Sequence, residues 1–301
     1  GHGRGAALGD SLSRVFRHLG YDVTTEYYVN NIGNQMENLG ASVMWRMEEI
    51  DPSYLDDAER AAYKAKKPED LYKGAYMVGV AEEVRRRHPA GTVRPRGIAF
   101  FRDVGQAIII DGIKKDLAAF GVVHDAWYPE SRLYEQNKVE ESFAALRERG
   151  DLKDEDGALW FLSTKYGDDK DRVIIRSNGS PAYISGDLGY YLDKRERGFD
   201  RCFILLGADH HGYIGRMMAM CQAFGDTPHV NLEILIGQMV NLLKDGEPLR
   251  MSKRAGTVIS MNDLVDSIGV DAARYALARY TNDTTIDIDL DLWARASNDN
   301  P

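Results

Sequence analysis

Phe203-Ile204-Leu205-Leu206-Gly207-Ala208-Asp209-His210-His211-Gly212-Tyr213 is an unbroken apolar run that turns abruptly polar. Four apolar residues in a row, without alternation, read as a strand covered on both faces. Behind it, Ile214, Met217, Met218, Cys221 and Phe224 recur at helical spacing, and residues 232–236 form a second apolar run. Strand, helix, strand with both strands apolar is the grammar of a parallel sheet. Open sheets of this kind bind ligands beyond the carboxyl ends of their strands, which is where Asp209, His210 and His211 fall. Three chemistries compete there: metal ligation, capping and packing, or recognition of a sugar and amino acid with Asp209 accepting from hydroxyls. Metal is the weakest, because sequence neighbours rarely converge on one ion and no further cluster completes a set. The Met217, Met218 and Met220 stripe reads as core filler.

The first half repeats the pattern. Gly1-His2-Gly3-Arg4-Gly5 reads as a glycine loop leading into a helix whose apolar face is Leu8, Leu12, Val15, Phe16 and Leu19. Free N–H groups and the positive dipole end at such a junction suit an anion. Residues 21–29, rich in β-branched and aromatic side chains, read as a strand. Asn30-Asn31-Ile32-Gly33-Asn34-Gln35 opens a helix with Ile32, Met36, Leu39 and Val43 on one face. Residues 48–97 are charged and less patterned. Within them, Met77, Val80, Ala81 and Val84 mark an amphipathic helix ending in Arg85-Arg86-Arg87-His88, read as a solvated helix end. Phe101, Val104, Ile108, Ile109, Ile113, Leu117 and Phe120 predict a long packed helix closed by Gly121, and residues 122–128 a third strand.

Composition shifts over residues 131–180. A helix carrying Val139, Phe143 and Leu146, a short strand at 158–162, and two strands at 173–176 and 182–185 around Asn178-Gly179 read as an inserted module. Beyond it, residues 186–197 read as a helix. Tyr183 and Asp187, four apart at a strand-to-helix junction, can face one pocket, where a carboxylate and an aromatic ring suit a guanidinium. After Met239, Val240, Leu242, Leu243 and a Lys244-Asp245-Gly246 turn comes Glu247-Pro248-Leu249-Arg250-Met251-Ser252-Lys253-Arg254-Ala255-Gly256-Thr257. A Ser and a Lys between arginines, with a glycine hinge, make either a solvated basic turn or a donor-rich loop suited to triphosphate chemistry. Residues 262–268 and 271–280 read as short helices, and 286–292 alternates like an extended amphipathic segment.

The 301 residues suffice for one large domain or two smaller ones, and 44% hydrophobic with 28% charged residues is ordinary for a globular chain. No apolar run is long enough to span a membrane, and no signal peptide is visible. Cys202 and Cys221 read as buried free thiols of a reducing cytosol, not a zinc site. A net charge of −9 opposes non-specific nucleic-acid binding without excluding a local basic groove.

Taken together, these stretches resemble the class I aminoacyl-tRNA synthetases, and among them the bacterial-type arginyl-tRNA synthetases. Met251-Ser252-Lys253-Arg254 resembles the KMSKS-type signature loop, with Arg250 where Lys is usual. The run from His2 to Asp10 is similar to the second half of the His-x-Gly-His signature and the residues after it; the first His and the preceding strand are absent. Tyr27-Tyr28-Val29-Asn30-Asn31 with Gly33 and Gln35, and Gly207 through Tyr213, resemble the same family. The likeness runs from His2 to Asp289-Leu290-Asp291-Leu292.

The resemblance implies an α/β fold: a doubly wound parallel nucleotide-binding sheet, Rossmann-like and of HUP type, with an inserted connective module and a short helical C-terminal stem. Its halves would be residues 1–130, with a helical insertion at about 48–97, and 181–265. Residues 131–180 would be the connective insertion and 266–301 the stem. It implies activation of L-arginine by ATP with Mg²⁺ to arginyl-adenylate and transfer to the 3′ end of tRNA(Arg). The expected setting is cytoplasmic, off the membrane and monomeric, with no tightly bound metal. The implied catalytic residues are His2, Ser252 and Lys253. ATP would meet His2, Gly3, Gly5, Asp209, Met239, Val240, Met251 and Lys253; arginine would meet Tyr183, Asp187, Asp209 and His210. The family's N-terminal tRNA-contacting and C-terminal anticodon-binding domains are not in this sequence, so it is expected to be weak or inactive alone. Another class I synthetase or a nucleotidyltransferase of the same superfold would share the His-Gly and Lys loops without needing Tyr183 and Asp187. A non-catalytic binding module would need neither loop for chemistry.

Overall fold

The structure, a computed structural model, describes residues 2–90, 96–244, 246–249, 260–295 and 298. The chain divides into two compact units, residues 1–30, 124–241 and 275–288 in one, residues 31–123, 242–274 and 289–301 in the other.

In the first unit, Glu26–Val29 pairs in parallel with Ala126–Pro129, placing Tyr28 opposite Tyr128. Cys202–Gly207 pairs in parallel with Leu232–Gly237. Among the described residues these are separate two-stranded sheets rather than one continuous sheet. Residues 21–25 lie outside the expected strand, and side chains take up Val23 O and Thr25 N there. Asp125 accepts from Thr25 N and Oγ1 at 2.6 and 2.7 Å, and Arg17 donates to Val23 O and to Asp125.

The opening helix spans His2–His18 and already includes Gly3 and Gly5, so the glycine run is its first turn and not a loop. Its buried stripe is Arg4, Ala7, Asp10 and Ser13. Val15 and Leu19 of the expected apolar face are 56% and 65% exposed. The helix is rotated this way because Arg4 reaches inward to backbone carbonyls, a bond set that an apolar stripe could not supply.

The inserted module is an antiparallel sheet ordered Leu152–Glu155, Ala158–Phe161, Arg172–Ile175. Its first turn is Asp156-Gly157, both with positive φ (51° and 74°), the conformation that short hairpins favour. The strand expected at 182–185 does not form. Asn178-Gly179 does turn the chain, with Gly179 N donating to Arg176 O, but pairing stops at a single Ile175–Pro181 bridge. Arg176 N donates to Ser180 O and Ala182 N to Ile174 O on either side of that bridge, and the helix Tyr183–Glu196 then takes the chain away. Ser185 Oγ, donating to Ile174 O, ties its first turn to the module. Gly189 lets this helix approach Lys138–Glu148 closely: a Cβ there would sit 3.0 Å from Val139 N. The apolar cluster holding the unit together includes Leu146, Phe161, Leu188, Tyr191, Met218 and Ile234.

The second unit is built on the helices Asn34–Ile50, Asp57–Lys64, Tyr76–Arg87 and Ile98–Ala119. All four apolar positions named from the sequence in the 76–87 helix are buried. Gly40 permits the closest crossing, since a Cβ there would lie 2.5 Å from Ile98 O. Arg96 and Glu59, 4% and 3% exposed, pair at 3.0 Å beside that core. Ser260 and Asp263 form a capping box at the head of Met261–Ile268. The tail is extended only to Asp289, whose carboxylate accepts from Asp291 N and Leu292 N and so starts the helix Leu290–Ala294.

Candidate functional site

At the head of the Tyr183–Glu196 helix, the buried Gly186 packs against Glu130 and Tyr28; a Cβ there would touch Glu130 Oε1 and Tyr28 OH at 3.6 Å each. Glu130 directly follows the Ala126–Pro129 strand, and Tyr28 lies in the strand paired with it. Tyr190, one helical turn beyond Gly186, closes one wall, with its ring 4.9 Å from Tyr28 and 4.6 Å from Tyr128. The ammonium of Lys194 lies 3.9 Å from the Tyr190 ring centre.

Asp187 and Glu130 carry the charge of this pocket. Burial pushes the Asp187 carboxyl up from 3.8 to about 6, against the opposing pull of Arg216, Lys194 and His210. Burial also raises Glu130, with the Asp187 charge adding to it and a hydrogen bond from Tyr28 working against it. The Tyr28 and Tyr134 phenols are raised by burial and by both carboxylates. Among the described residues neither carboxylate is in an ion pair. Two like charges left this close, in a half-buried site, are complementary to a cation with donors on two edges.

Asp209 and His210 lie in the 3₁₀ turn Ala208–Tyr213 after the Cys202–Gly207 strand, as the sequence predicts. The Asp209 carboxylate is exposed, 3.6 Å from His210 Nε2, and the His210 ring meets Tyr213 edge-on at 5.3 Å. Among the described residues no group of three His, Cys, Asp or Glu side chains is arranged to hold a metal ion. Tyr183, the first residue of its helix, is 74% exposed. His2 is exposed on the first turn of the opening helix, with Gly3 and Gly5 beside it. Met239 N donates to Gln238 Oε1 and Met239 O accepts from Ile286 N, so both of its backbone groups are engaged; Val240 begins the next strand. Met251, Ser252 and Lys253 lie outside the described residues.

Residues 1–289 match the family model for class I tRNA synthetases of the R type, catalytic domain. The chain belongs to this family. This class I synthetase domain is 52% identical over 300 residues to an arginine–tRNA ligase of Kineococcus radiotolerans, covering 99% of the chain and 51% of the relative. It is 51% identical over 301 residues to one from Clavibacter sepedonicus, with 99% and 52% covered. It thus spans about half the length of these curated relatives. A crystal structure from Campylobacter jejuni, provisionally assigned as an arginyl-tRNA synthetase, superposes with a TM-score of 0.87 at 37% identity. That superposition covers all of this chain and 64% of the other. The Thermus thermophilus arginyl-tRNA synthetase superposes at 0.67 and 15% identity, covering 98% and 58%, a likeness of fold. The synthetase fold is therefore α/β, with helices and parallel strands mixed as described.

Sequence reasoning missed Glu130, Tyr28, Tyr134 and Arg216. For Glu130 a signal existed: it immediately follows a predicted parallel strand, the same position that drew attention to Asp209. Tyr28 stands in a motif quoted above but with no role attached, and Tyr134 carried no mark, because their approach to Asp187 exists only in the folded chain.

Proposed function

We propose that this domain is the catalytic core of an enzyme that activates L-arginine with Mg·ATP to arginyl-adenylate and passes it to tRNA(Arg). One observation carries the choice of amino acid: Glu130 and Asp187 lie near enough for the Asp187 charge to raise Glu130, with no cation of the described residues bonded to either. A guanidinium is planar, permanently charged and able to meet two carboxylates at once, and the tyrosine faces favour it further. Tyr183 and His210 would close the arginine end, with Asp209 shared between arginine and ribose. His2, Gly3 and Gly5 would meet the phosphates through the free N–H groups of the first helical turn, where the helix dipole is positive. Val240 and the Met239 backbone would border adenine. Lys253 and Ser252, with Met251 beside them, would stabilise the charge that develops on the α-phosphate and leaving pyrophosphate.

On this reading residues 1–130 and 181–265 are the two halves of a doubly wound HUP-type sheet, 131–180 the connective insertion and 266–301 the stem. The protein works in the cytoplasm as a monomer, with Mg²⁺ arriving on ATP rather than held in a site of its own.

Thermal unfolding with L-arginine, using citrulline as the neutral analogue, tests the reading. Arginine should raise the midpoint and citrulline should not, because only a ligand that binds the native state stabilises it. Equal shifts, or a response to citrulline alone, would sink the guanidinium pocket.

A further inference from the structure

Arg4 is 1% exposed, yet among the described residues none of its guanidinium hydrogen bonds goes to a carboxylate. Nη1 donates to Gln238 O at 3.1 Å and Thr284 O at 2.6 Å, and Nη2 donates to Thr281 O at 2.7 Å. Nε is buried with no partner among the described residues. Asp283 supplies a favourable field, while burial works against the charge. A buried cation compensated by carbonyl dipoles alone is a costly way to hold a helix in place. Its geometry gives it a use.

Arg4 lies in the first turn of the opening helix, two residues from His2. Gln238 immediately precedes Met239 and Val240. The segment around Gln238 is laced to the 281–286 stretch: Gln238 N donates to Asn282 O at 2.8 Å, Asn282 Nδ2 to Ile236 O at 3.1 Å, and Ile286 N to Met239 O at 3.0 Å. Arg4 is thus a planar fork joining the helix end proposed for phosphate to the backbone proposed for adenine, both directly through Gln238 O and through the 281–286 turn bonded to each. All of these residues belong to one compact unit.

We infer that Arg4 is a positioning residue for ATP, fixing the spacing between the phosphate-binding turn and the adenine-bordering strand by clamping the Thr281–Thr284 turn against both. The inference rests on the nucleotide site placed above. Lysine keeps the charge but cannot span three carbonyls with one fixed fork. Arg4→Lys should therefore weaken Mg·ATP binding by about tenfold to a hundredfold, the scale of a small misplacement of binding groups. L-Arginine affinity should stay within about twofold, because Glu130 and Asp187 do not depend on the clamp.

The measurement is titration calorimetry of wild type and Arg4→Lys with Mg·ATP and, separately, with L-arginine. It is paired with amide hydrogen exchange of the wild type with and without Mg·ATP. Loss of nucleotide affinity with arginine affinity retained supports the clamp, as does nucleotide-dependent protection of amides 281–286. A folded Arg4→Lys that binds Mg·ATP as the wild type does would overturn it. So would equal losses for both ligands, which is what a merely structural role would give. If the variant fails to fold, exchange in the wild type decides: nucleotide bound without protection at 281–286 refutes the clamp. A wild type that does not bind Mg·ATP would bring down the nucleotide site itself and the inference with it.

Discussion

Asp187→Asn should make the protein more stable while removing its response to arginine. The Asp187 carboxyl is raised from 3.8 to about 6 in the fold, chiefly by burial. A carboxyl raised on folding binds protons more tightly in the native state than in the unfolded chain. Its contribution therefore lowers stability as pH climbs from about 4 to about 6, is fully felt above that window, and disappears below it. At roughly 1.4 kcal/mol per pH unit, the gap amounts to about 3 kcal/mol at neutral pH, taken as a ceiling. Asparagine keeps the shape and sheds the charge. Urea unfolding of wild type and variant at several pH values between about 4 and 7 gives a difference curve in which the other titrating groups largely cancel. The expected curve is near zero at about pH 4 and rises toward about 3 kcal/mol in favour of the variant by pH 7. Arginine affinity of the wild type should meanwhile fall by about tenfold per pH unit below about 6, since the guanidinium stays charged while its carboxylate does not. A variant less stable than wild type at pH 7, or a difference indifferent to pH, would refute the reasoning. It would mean that Asp187 is a satisfied structural carboxylate.

Two further outcomes concern the helical unit. Arg96→Met should cost about 3–5 kcal/mol in urea unfolding, because Glu59 keeps its capping-box bond from Asp56 N but loses the guanidinium beside it in a nearly closed environment. Adding Glu59→Leu should recover part of that loss, and strict additivity of the two changes would argue against coupling. Gly40→Ala should cost about 1–3 kcal/mol, as its methyl would press on Ile98 O. Gly79→Ala, with nothing within 4 Å of the added carbon, should gain about 1 kcal/mol, and a matching loss at both sites would discredit the close-crossing account.

Helices with strong periodicity are the most legible part of the sequence. The face of 76–87 can be read because burial of a regular stripe is a local pattern, whereas within 98–119 only Phe101 and Leu117 of the named residues are buried. The errors fall where one polar side chain outweighs the pattern. Ser185, bonded to Ile174 O, belongs to a helix that takes over the strand expected after Asn178-Gly179, and Asp289 caps a helix inside an alternating tail. Arg4 heads a buried stripe on the opening helix that leaves Leu8, Leu12 and Phe16 of the expected face half-buried and Val15 exposed. Asp156-Gly157 is as plain a hairpin signal as Asn178-Gly179, but the charged residues before it hide the strand that it turns. For the site, Asp187, Asp209 and His210 can be found from their places at the ends of elements. The pairing of Asp187 with Glu130 cannot, because it exists only once strands far apart in sequence lie side by side.

That long-range pairing has a kinetic cost. Joining Glu26 to Ala126 closes a loop of about a hundred residues, roughly 4 kcal/mol of chain entropy if the intervening chain is unstructured. Most of that chain, residues 31–123, belongs to the helical unit, which has an apolar core of its own. If those helices condense first, the strands are joined by a compact body instead of a random coil, and much of the entropy is already lost when they meet. The amino-acid pocket would then be among the last features to form. Pulse-labelled hydrogen exchange during refolding should show amides in Asn34–Ile50 and Ile98–Ala119 protected before those of Glu26–Val29, and the reverse order would exclude this route. A chain stalled before that last step would look folded by its helix content yet be blind to arginine.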